Sequence, residues 1–109
     1  MFKVGKYMKM YHFNNDSTEL SFTNHEHRNE IEELKEVISI LSDGGCVFIE
    51  KGWLPDYDWY LFKYNDAEFY VLYDEFEFSG CVVRTKDDNT MKLIEKFFTD
   101  AGIEWYEND

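Results

Sequence analysis

The stretch from Trp53 to Phe78 most limits what this chain can fold into, because it holds eleven aromatic residues, seven carboxylates and a single lysine. Large rings gain most from leaving water, so this stretch has to supply most of the core of a short chain. Ionised carboxylates are rarely buried without a partner and must stay at the surface beside the rings. The stretch therefore predicts an aromatic core bordered by a ridge of negative charge.

Length and composition predict one folded domain over residues 1–109. A chain of 109 residues suffices for one compact core. A net charge of −12 alone would favour disorder, but 44% of the residues are hydrophobic and 19% are aromatic. Such a composition favours a packed domain.

The charge is distributed unevenly along the chain. Residues 1–28 carry four basic and three acidic groups, whereas the remaining residues carry 7 basic and 20 acidic groups. A negative field of this kind repels phosphate backbones and anionic lipid headgroups, and it speeds encounter with a cationic surface. We therefore expect a basic protein partner, no nucleic acid and no membrane.

Cys46 and Cys81 each lie in a short apolar run, as expected of buried thiols in a reducing compartment. A disulfide between them is the less favoured alternative. The first residues lack an apolar leader segment, and no stretch approaches the length of a membrane span. The expected location is the cytoplasm.

Hydrophobic spacing in the first part of the chain predicts a strand over 2–13, a turn over 14–17, a strand over 18–23 and then a helix. The helix follows a capping box at 23–26, and Gly44-Gly45 provides its left-handed exit. Its apolar positions recur at intervals of three and four residues: Ile31, Leu34, Ile38 and Leu41. Its glutamates are expected on the solvent side: Glu30, Glu32, Glu33 and Glu36.

Four further strands are predicted after this helix. The apolar run 45–50 is typical of a strand buried on both faces, and residues 51–56 form a loop. Residues 57–64 and 67–73 are dense in aromatic and β-branched side chains and predict a hairpin across Asn65-Asp66.

A strand over 76–85 follows, with Gly80 marking a bulge or a close backbone approach. Asp87 and its neighbours offer N-cap oxygens to a second helix that ends at Gly102, and residues 103–106 predict a strand at a sheet edge. The expected fold is α+β, a single largely antiparallel sheet of about five to seven strands with two amphipathic helices on one face.

The hairpin at 57–73 has large side chains on both faces: Tyr57, Trp59 and Leu61 on one, and Tyr60, Phe62 and Tyr64 on the other. Two short helices cover only one side of a sheet this wide, so the second side needs another cover. The alternatives are the N-terminal hairpin, a second copy of the chain in a homodimer, or a protein partner.

As a partner surface, this region offers stiff rings beside carboxylates, which suits a protein lined with lysine and arginine. The expected anchors are Trp53, Tyr57, Trp59 and Tyr60. The carboxylates expected to steer and pair with the partner are Asp56, Asp58, Asp74, Glu75 and Glu77.

The sequence lacks the residue patterns of an enzyme. His12, His25 and His27 have no nucleophile signature beside them, and Asp56-x-Asp58 lacks the glycine-punctuated spacing of a calcium loop. Gly44-Gly45 follows a helix and precedes a strand, the reverse of the order in a phosphate loop. We expect no catalytic residue, no cofactor and no metal.

With these features the chain resembles the small acidic immunity proteins that bacteria pair with secreted or contact-delivered toxins. The resemblance is one of type, a single acidic α+β domain with aromatic and carboxylate surfaces, and the run 52–59 matches no specific family pattern. The resemblance implies a tight one-to-one complex with a cognate toxin domain, often a basic nuclease.

Two other functions stay open at this point. A small-ligand or regulatory sensor domain would need a concave cavity of several hundred cubic ångströms between sheet and helices. A structural homodimer would use the second face of the sheet as its interface.

Overall fold

The structure is a computed structural model that describes residues 8–23, 30–55, 57–74 and 80–106. Its elements in chain order are β1 (Lys9–Tyr11), β2 (Glu19–Thr23), α1 (Glu30–Asp43), β3 (Val47–Trp53), β4 (Asp58–Tyr64), β5 (Ala67–Asp74), β6 (Gly80–Arg84), α2 (Asp88–Asp100) and β7 (Glu104–Trp105). A turn over Phe13–Asn15 links β1 to β2. Within these residues, no helix combines the length and the apolar character that crossing a bilayer requires.

The seven strands form one mixed sheet in the order β3-β4-β5-β6-β2-β1-β7. All neighbouring strands are antiparallel except β1 and β7, which run parallel. Both helices pack on the same side of the sheet, where their buried residues join alternate strand residues in one core cluster: Leu34, Val37, Ile94 and Phe98 from the helices with Phe69, Val71, Cys81 and Val83 from the strands. The expected α+β fold with a largely antiparallel sheet and two helices is confirmed.

Local turn chemistry forms the hairpin of β1 and β2. Asn14 and Asn15 adopt left-handed backbone with φ of 55° and 59°, a conformation that asparagine tolerates better than most residues. The Asp16 side chain accepts a hydrogen bond of 2.9 Å from the backbone N–H of Thr18. The predicted turn is confirmed, but β1 ends at Tyr11 instead of continuing to residue 13. The predicted beginning of this strand lies outside the described residues.

Helix α1 buries one apolar side but also buries a carboxylate that was predicted to face solvent. Glu33 is only 1% exposed, and its Oε1 accepts a hydrogen bond of 3.2 Å from the backbone N–H of Cys81 in β6. In the described pairing of β2 with β6, Val82 is the last paired residue of β6. The N–H of Cys81, one residue before Val82, is satisfied by the side chain of Glu33 instead. The prediction for Glu33 was therefore wrong. Gly45 leaves the helix with φ of 100°, as predicted, whereas the capping box lies mostly in residues 24–29, outside the described ranges.

The β4–β5 hairpin has the predicted turn. Its pairing runs from Asp58 opposite Tyr73 to Tyr64 opposite Ala67, and Asn65 in the turn has φ of 54°. The side chains of the hairpin alternate between the two faces of the sheet as expected, because Tyr60 and Phe62 both pack on the face that carries the helices. β6 is described from Gly80 to Arg84, and the predicted beginning of this strand at residues 76–79 lies outside the described residues.

Helix α2 begins and ends at the predicted residues. The Asp87 side chain caps its first turn by accepting a hydrogen bond of 3.1 Å from the N–H of Thr90, and this contact lowers the pKa of Asp87. The helix packs Phe98 against Phe22 of β2, with ring centres 5.0 Å apart. Gly102, at φ of 94°, turns the chain into β7, which lies at the sheet edge beside β1 as expected.

The predicted environment of β3 was wrong. The run 45–50 was expected to be buried on both faces, but β3 forms the other edge of the sheet, and Phe48 and Ile49 are 51% and 45% exposed. In the described structure its one neighbouring strand is β4. Part of the predicted loop 51–56 also belongs to the strand, which continues to Trp53 before a tight turn between Leu54 and Tyr57.

Candidate protein-docking edge

Residues Val47–Leu54 form a surface that we call the β3 edge. Exposed apolar side chains lie at its two ends: Val47 (59%), Phe48 and Ile49 at one end, and Trp53 (75%) and Leu54 (46%) at the other, with the charged pair Glu50-Lys51 between them. Single exposed apolar residues are ordinary on protein surfaces, but five of them within eight residues of one sheet edge indicate a site of interaction. The β3 edge is therefore the first candidate for a docking site.

On the side of the sheet that carries the helices, the β3 edge is a shelf of rings. Phe48 packs edge-on against Phe62, with ring centres 5.7 Å apart. The ammonium of Lys51 lies 5.2 Å from the centre of the half-buried Tyr60 ring, a cation–π contact. Trp53 lies opposite Asp58 in the strand register. The exposed ring of Trp53 and a carboxylate thus meet at one end of the shelf, and the exposed ring of Phe48 lies at the other.

On the opposite side of the sheet, the ring of Trp59 lies across Gly52. A β-carbon added to Gly52 would stand 2.1 Å from Cζ2 of the indole, so only glycine leaves room for the ring. Trp59 also packs edge-on against Tyr70, at 5.9 Å between ring centres. These contacts leave Trp59 half-buried. It packs against the β3 backbone and offers only part of its surface to a partner.

The strand register brings several predicted site residues to one end of the sheet. Trp53 pairs with Asp58, Asp58 pairs with Tyr73, and Asp74 follows at the end of β5. Asp56, Glu75 and Glu77 lie outside the described residues.

The expected rim of carboxylates does not extend along the whole hairpin. Asp66 lies in the β4–β5 turn and Glu68 near it, at the opposite end of the strands from Asp58. β4 begins at Asp58 and ends at the turn that holds Asp66, so the length of this strand separates the two groups of acids. The described carboxylates of this region therefore form two groups, one at each end of the sheet.

Tyr57 is directed away from the β3 edge, to a groove on the sheet face opposite the helices. The groove has a volume of about 360 Å³ and is lined by Tyr11, Phe13, Glu19, Ser21, Phe22, Tyr57, Leu72, Cys81, Val82 and Arg84. Arg84 donates a hydrogen bond of 2.8 Å from Nε to the Glu19 carboxylate on its polar side. Tyr57 is thus a groove residue and not a neighbour of Trp53 on the shelf.

His12 has a structural role in the described contacts. Its Nδ1 lies 2.8 Å from the carbonyl oxygen of Glu19, and its Nε2 lies 2.7 Å from the Glu95 carboxylate in α2. Both neighbours accept hydrogen bonds, so the ring satisfies them together only when both nitrogens carry protons. The imidazolium then ties the first hairpin to α2.

The residues that sequence reasoning missed are the exposed apolar side chains Val47, Phe48 and Ile49. A signal for their exposure was present in the adjacent Glu50-Lys51 pair, since charged side chains are common on edge strands and rare in strands buried on both faces. The strand register also shifts between Phe48 and Glu50, an irregularity that is frequent at sheet edges.

No family model, no curated protein and no solved structure matches this chain. Among the residues that the structure describes, no group of three or more histidine, cysteine, aspartate or glutamate side chains is arranged to hold a metal ion. The β3 edge presents exposed rings, aliphatic side chains and strand backbone, which are the groups that proteins use to bind other proteins.

Proposed function

We propose that this chain is an inhibitory binding protein of the immunity type, which neutralises a cationic toxin domain by docking it on the β3 edge. The favoured partner is a basic nuclease domain. The observation that carries the proposal is the exposure of Trp53, at 75%, at the end of a strand whose other apolar residues are also exposed. Tryptophan is the residue most enriched among those that dominate binding energy, because it buries a large rigid surface.

The charge of the chain supports a cationic partner. Glu50 is exposed on the β3 edge and Asp58 lies beside Trp53, while the ammonium of Lys51 lies over the Tyr60 ring. A net charge of −12 adds a long-range field that attracts a positively charged domain. Such a field acts mainly on the association rate and is screened by salt.

The test uses purified nuclease-type toxin domains of high isoelectric point, beginning with any encoded beside the gene of this chain. Binding and nuclease activity are measured with the native chain, with Trp53→Ala and with Trp105→Ala. Trp105 is a matched control, because it is also an exposed tryptophan, at 41%, but lies in β7 at the opposite sheet edge. Trp53→Ala is expected to weaken binding at least about 30-fold, as for a dominant interface residue.

Two results would contradict the proposal. The first is that Trp53→Ala and Trp105→Ala bind a toxin domain equally well. The second is that none of the domains, including a genetically linked one, is bound or inhibited. The steering role of the carboxylates is tested separately by the association rate, which is expected to fall as salt rises while dissociation changes little.

A small-ligand or sensor function is the second candidate, and the groove of about 360 Å³ favours it. The groove lies on the sheet face opposite the helices, and not between sheet and helices as this function was expected to require. Its volume is within the range of small-molecule sites, and the Glu19–Arg84 pair gives it a polar side. A thermal-shift screen of metabolites tests this function, with Val82→Phe as the variant that fills the groove. A ligand that loses binding in Val82→Phe and keeps it in Trp53→Ala would favour the sensor function.

A structural homodimer is the remaining alternative. Measurement of the solution mass on dilution distinguishes it, since a dimer of this chain would dissociate with a concentration-dependent midpoint. A stable dimer with no binding to any cationic domain would favour this alternative over the inhibitor.

A further inference from the structure

The β3 edge exposes strand backbone as well as side chains. Within the described part of the chain, β3 pairs with β4 alone, so alternate N–H and C=O groups along its seven residues point away from the sheet. Protein edges are usually protected by shortness, by proline, by charged side chains, by bulges or by a covering element. β3 has the charged pair Glu50-Lys51 and a register shift, but it is seven residues long, whereas β7 at the opposite edge has only two residues.

The side chains of β3 define what could pair with it. Phe48, Lys51 and Trp53 lie on the face that carries the helices, with the ammonium of Lys51 over the Tyr60 ring. Val47 and Glu50 lie on the other face, opposite Lys63 and Leu61 of β4. An added strand would place its side chains next to these residues on both faces. A complementary strand therefore has apolar residues beside Phe48 and Trp53 and a basic residue beside Glu50.

In the registers that pair most of β3, a second copy of the chain fits this edge poorly. Two identical antiparallel strands related by a two-fold axis normal to the sheet must place one residue opposite itself. Centring the pair on Glu50 sets glutamate against glutamate, and centring it on Lys51 sets lysine against lysine, which destabilises a cross-strand pair. Centring it on Ile49 places the axis where the register of β3 shifts. The net charge of −12 on each copy adds further repulsion.

We propose that β3 accepts an extended segment of the cationic partner as an additional strand, with basic and apolar residues alternating along that segment. This inference rests on the proposed function, because it describes how the same surface would hold the toxin domain. Main-chain hydrogen bonds would supply part of the affinity, and the alternating side chains would supply the specificity.

The test uses a synthetic ten-residue peptide of alternating valine and lysine as the probe. Its two controls are the same peptide with N-methyl groups on every valine and lysine, and a peptide of alternating valine and glutamate. Binding is followed through the amide resonances and hydrogen exchange of the ¹⁵N-labelled full chain. The lysine peptide is expected to shift and protect amides of Val47–Trp53 and not those of β7, and N-methylation is expected to weaken binding at least tenfold.

Charge reversal at the edge provides the matched variants. In Glu50→Lys, the lysine peptide is expected to bind several-fold more weakly and the glutamate peptide more tightly. Glu68→Lys makes the same charge change at an exposed position in β5, away from the sheet edge. This variant is expected to keep the preference for the lysine peptide over the glutamate peptide.

Four further outcomes would decide against the inference, and a fifth would decide against the proposed function alone. Equal binding of the N-methylated peptide would show docking through side chains alone, and absence of binding at millimolar peptide would remove the strand site. Protection of β3 amides that rises with protein concentration, together with a doubled mass, would identify a second copy as the occupant. A toxin domain inhibited through Trp53 without protection of β3 amides would overturn the strand pairing and leave the proposed function standing. A peptide that pairs with β3, together with no inhibition of any toxin domain, would overturn the proposed function and leave the strand pairing standing.

Discussion

The indole of Trp59 occupies the space above Gly52 that a side chain would fill, with Cζ2 2.1 Å from the position of an added β-carbon. The two residues face each other across the β3–β4 pair. A glycine in a strand normally weakens it, yet here its absent side chain lets a large ring cover the backbone of the edge. The covering of the β3 backbone by a ring at this point therefore depends on this pair.

Gly52→Ala is expected to destabilise the protein by about 1–3 kcal/mol, because the new methyl group displaces the indole. A loss of stability would be informative, because alanine in an unobstructed strand would be favoured over glycine by roughly 0.5–1 kcal/mol. Urea unfolding gives the free energy. Repeating the substitution in a Trp59→Val background, where the ring is absent, should remove the penalty. A penalty that persists there would mean that the ring is not its cause.

The His12–Glu95 contact is expected to make stability fall as the pH rises. Burial lowers the pKa of His12, but the hydrogen bonds to the Glu95 carboxylate and the Glu19 carbonyl outweigh it and raise the pKa above the ordinary value of 6.5. The stabilisation is therefore complete below pH 6.5 and is lost as the pH rises through the raised value.

The His12 contribution is expected to be on the order of 1 kcal/mol, as for a partly buried hydrogen bond to a charged group. Free energies of unfolding at several pH values measure it, and NMR titration of the His12 ring gives the pKa. Glu95→Gln should lower that pKa and flatten the pH dependence, whereas Glu68→Gln at an exposed position should change neither. An unchanged His12 titration in Glu95→Gln would contradict the assignment.

Glu33→Ala is expected to cost about 1–3 kcal/mol, because it leaves the buried N–H of Cys81 without its side-chain acceptor. Glu33→Gln keeps an acceptor oxygen in the same place and should cost less. Thermal or urea unfolding of the two variants measures the difference. Equal losses would indicate that the charge of Glu33, and not its hydrogen bond, matters at this position.

The two thiols are expected to react slowly in the folded protein. Cys46 and Cys81 are both buried and free, as the sequence predicted, and burial raises the pKa of Cys46 to about 11. Burial, together with the nearby charge of Glu33, also raises the pKa of Cys81. Thiol titration with a disulfide reagent should be slow in buffer at pH 8 and fast in urea, and Cys46→Ser and Cys81→Ser assign the phases. Rapid native reaction of either thiol would contradict its burial.

Burial of the thiols is also expected to make the free energy of unfolding fall at alkaline pH. Because the folded pKa of Cys46 is raised, its contribution is complete below the ordinary value of 9.0 and is lost as the pH rises through about 11.

Features that depend on neighbouring residues in the chain could be predicted from the sequence. The Asn14-Asn15 turn, the Asn65-Asp66 hairpin and the Asp87 cap follow from the conformations and hydrogen bonds that these side chains favour locally. The amphipathic spacing of both helices likewise gave their buried sides, apart from Glu33. The α+β fold class followed from the order of these elements.

Features that depend on distant parts of the chain could not be predicted. The apolar run before Glu50 has the same composition whether helices cover it or it lies at an edge. The adjacent Glu50-Lys51 pair favours an edge, but the exposure of Phe48 itself follows only from the sheet order. Glu33 is buried because a strand remote in sequence presents an N–H to it. For the candidate site, Trp53 is exposed, whereas Tyr57 faces the groove on the other side of the sheet.

The parallel pairing of β1 with β7 has a consequence for the order of folding. Lys9 and Glu104 form an ion pair of 2.5 Å between positions 95 residues apart, whereas β3 to β6 are joined to their sequence neighbours. We therefore expect strands β3 to β6 to assemble first from short-range contacts and the long loop between β1 and β7 to close late. During synthesis, β1 is then unpaired on one side until Trp105 has left the ribosomal exit tunnel.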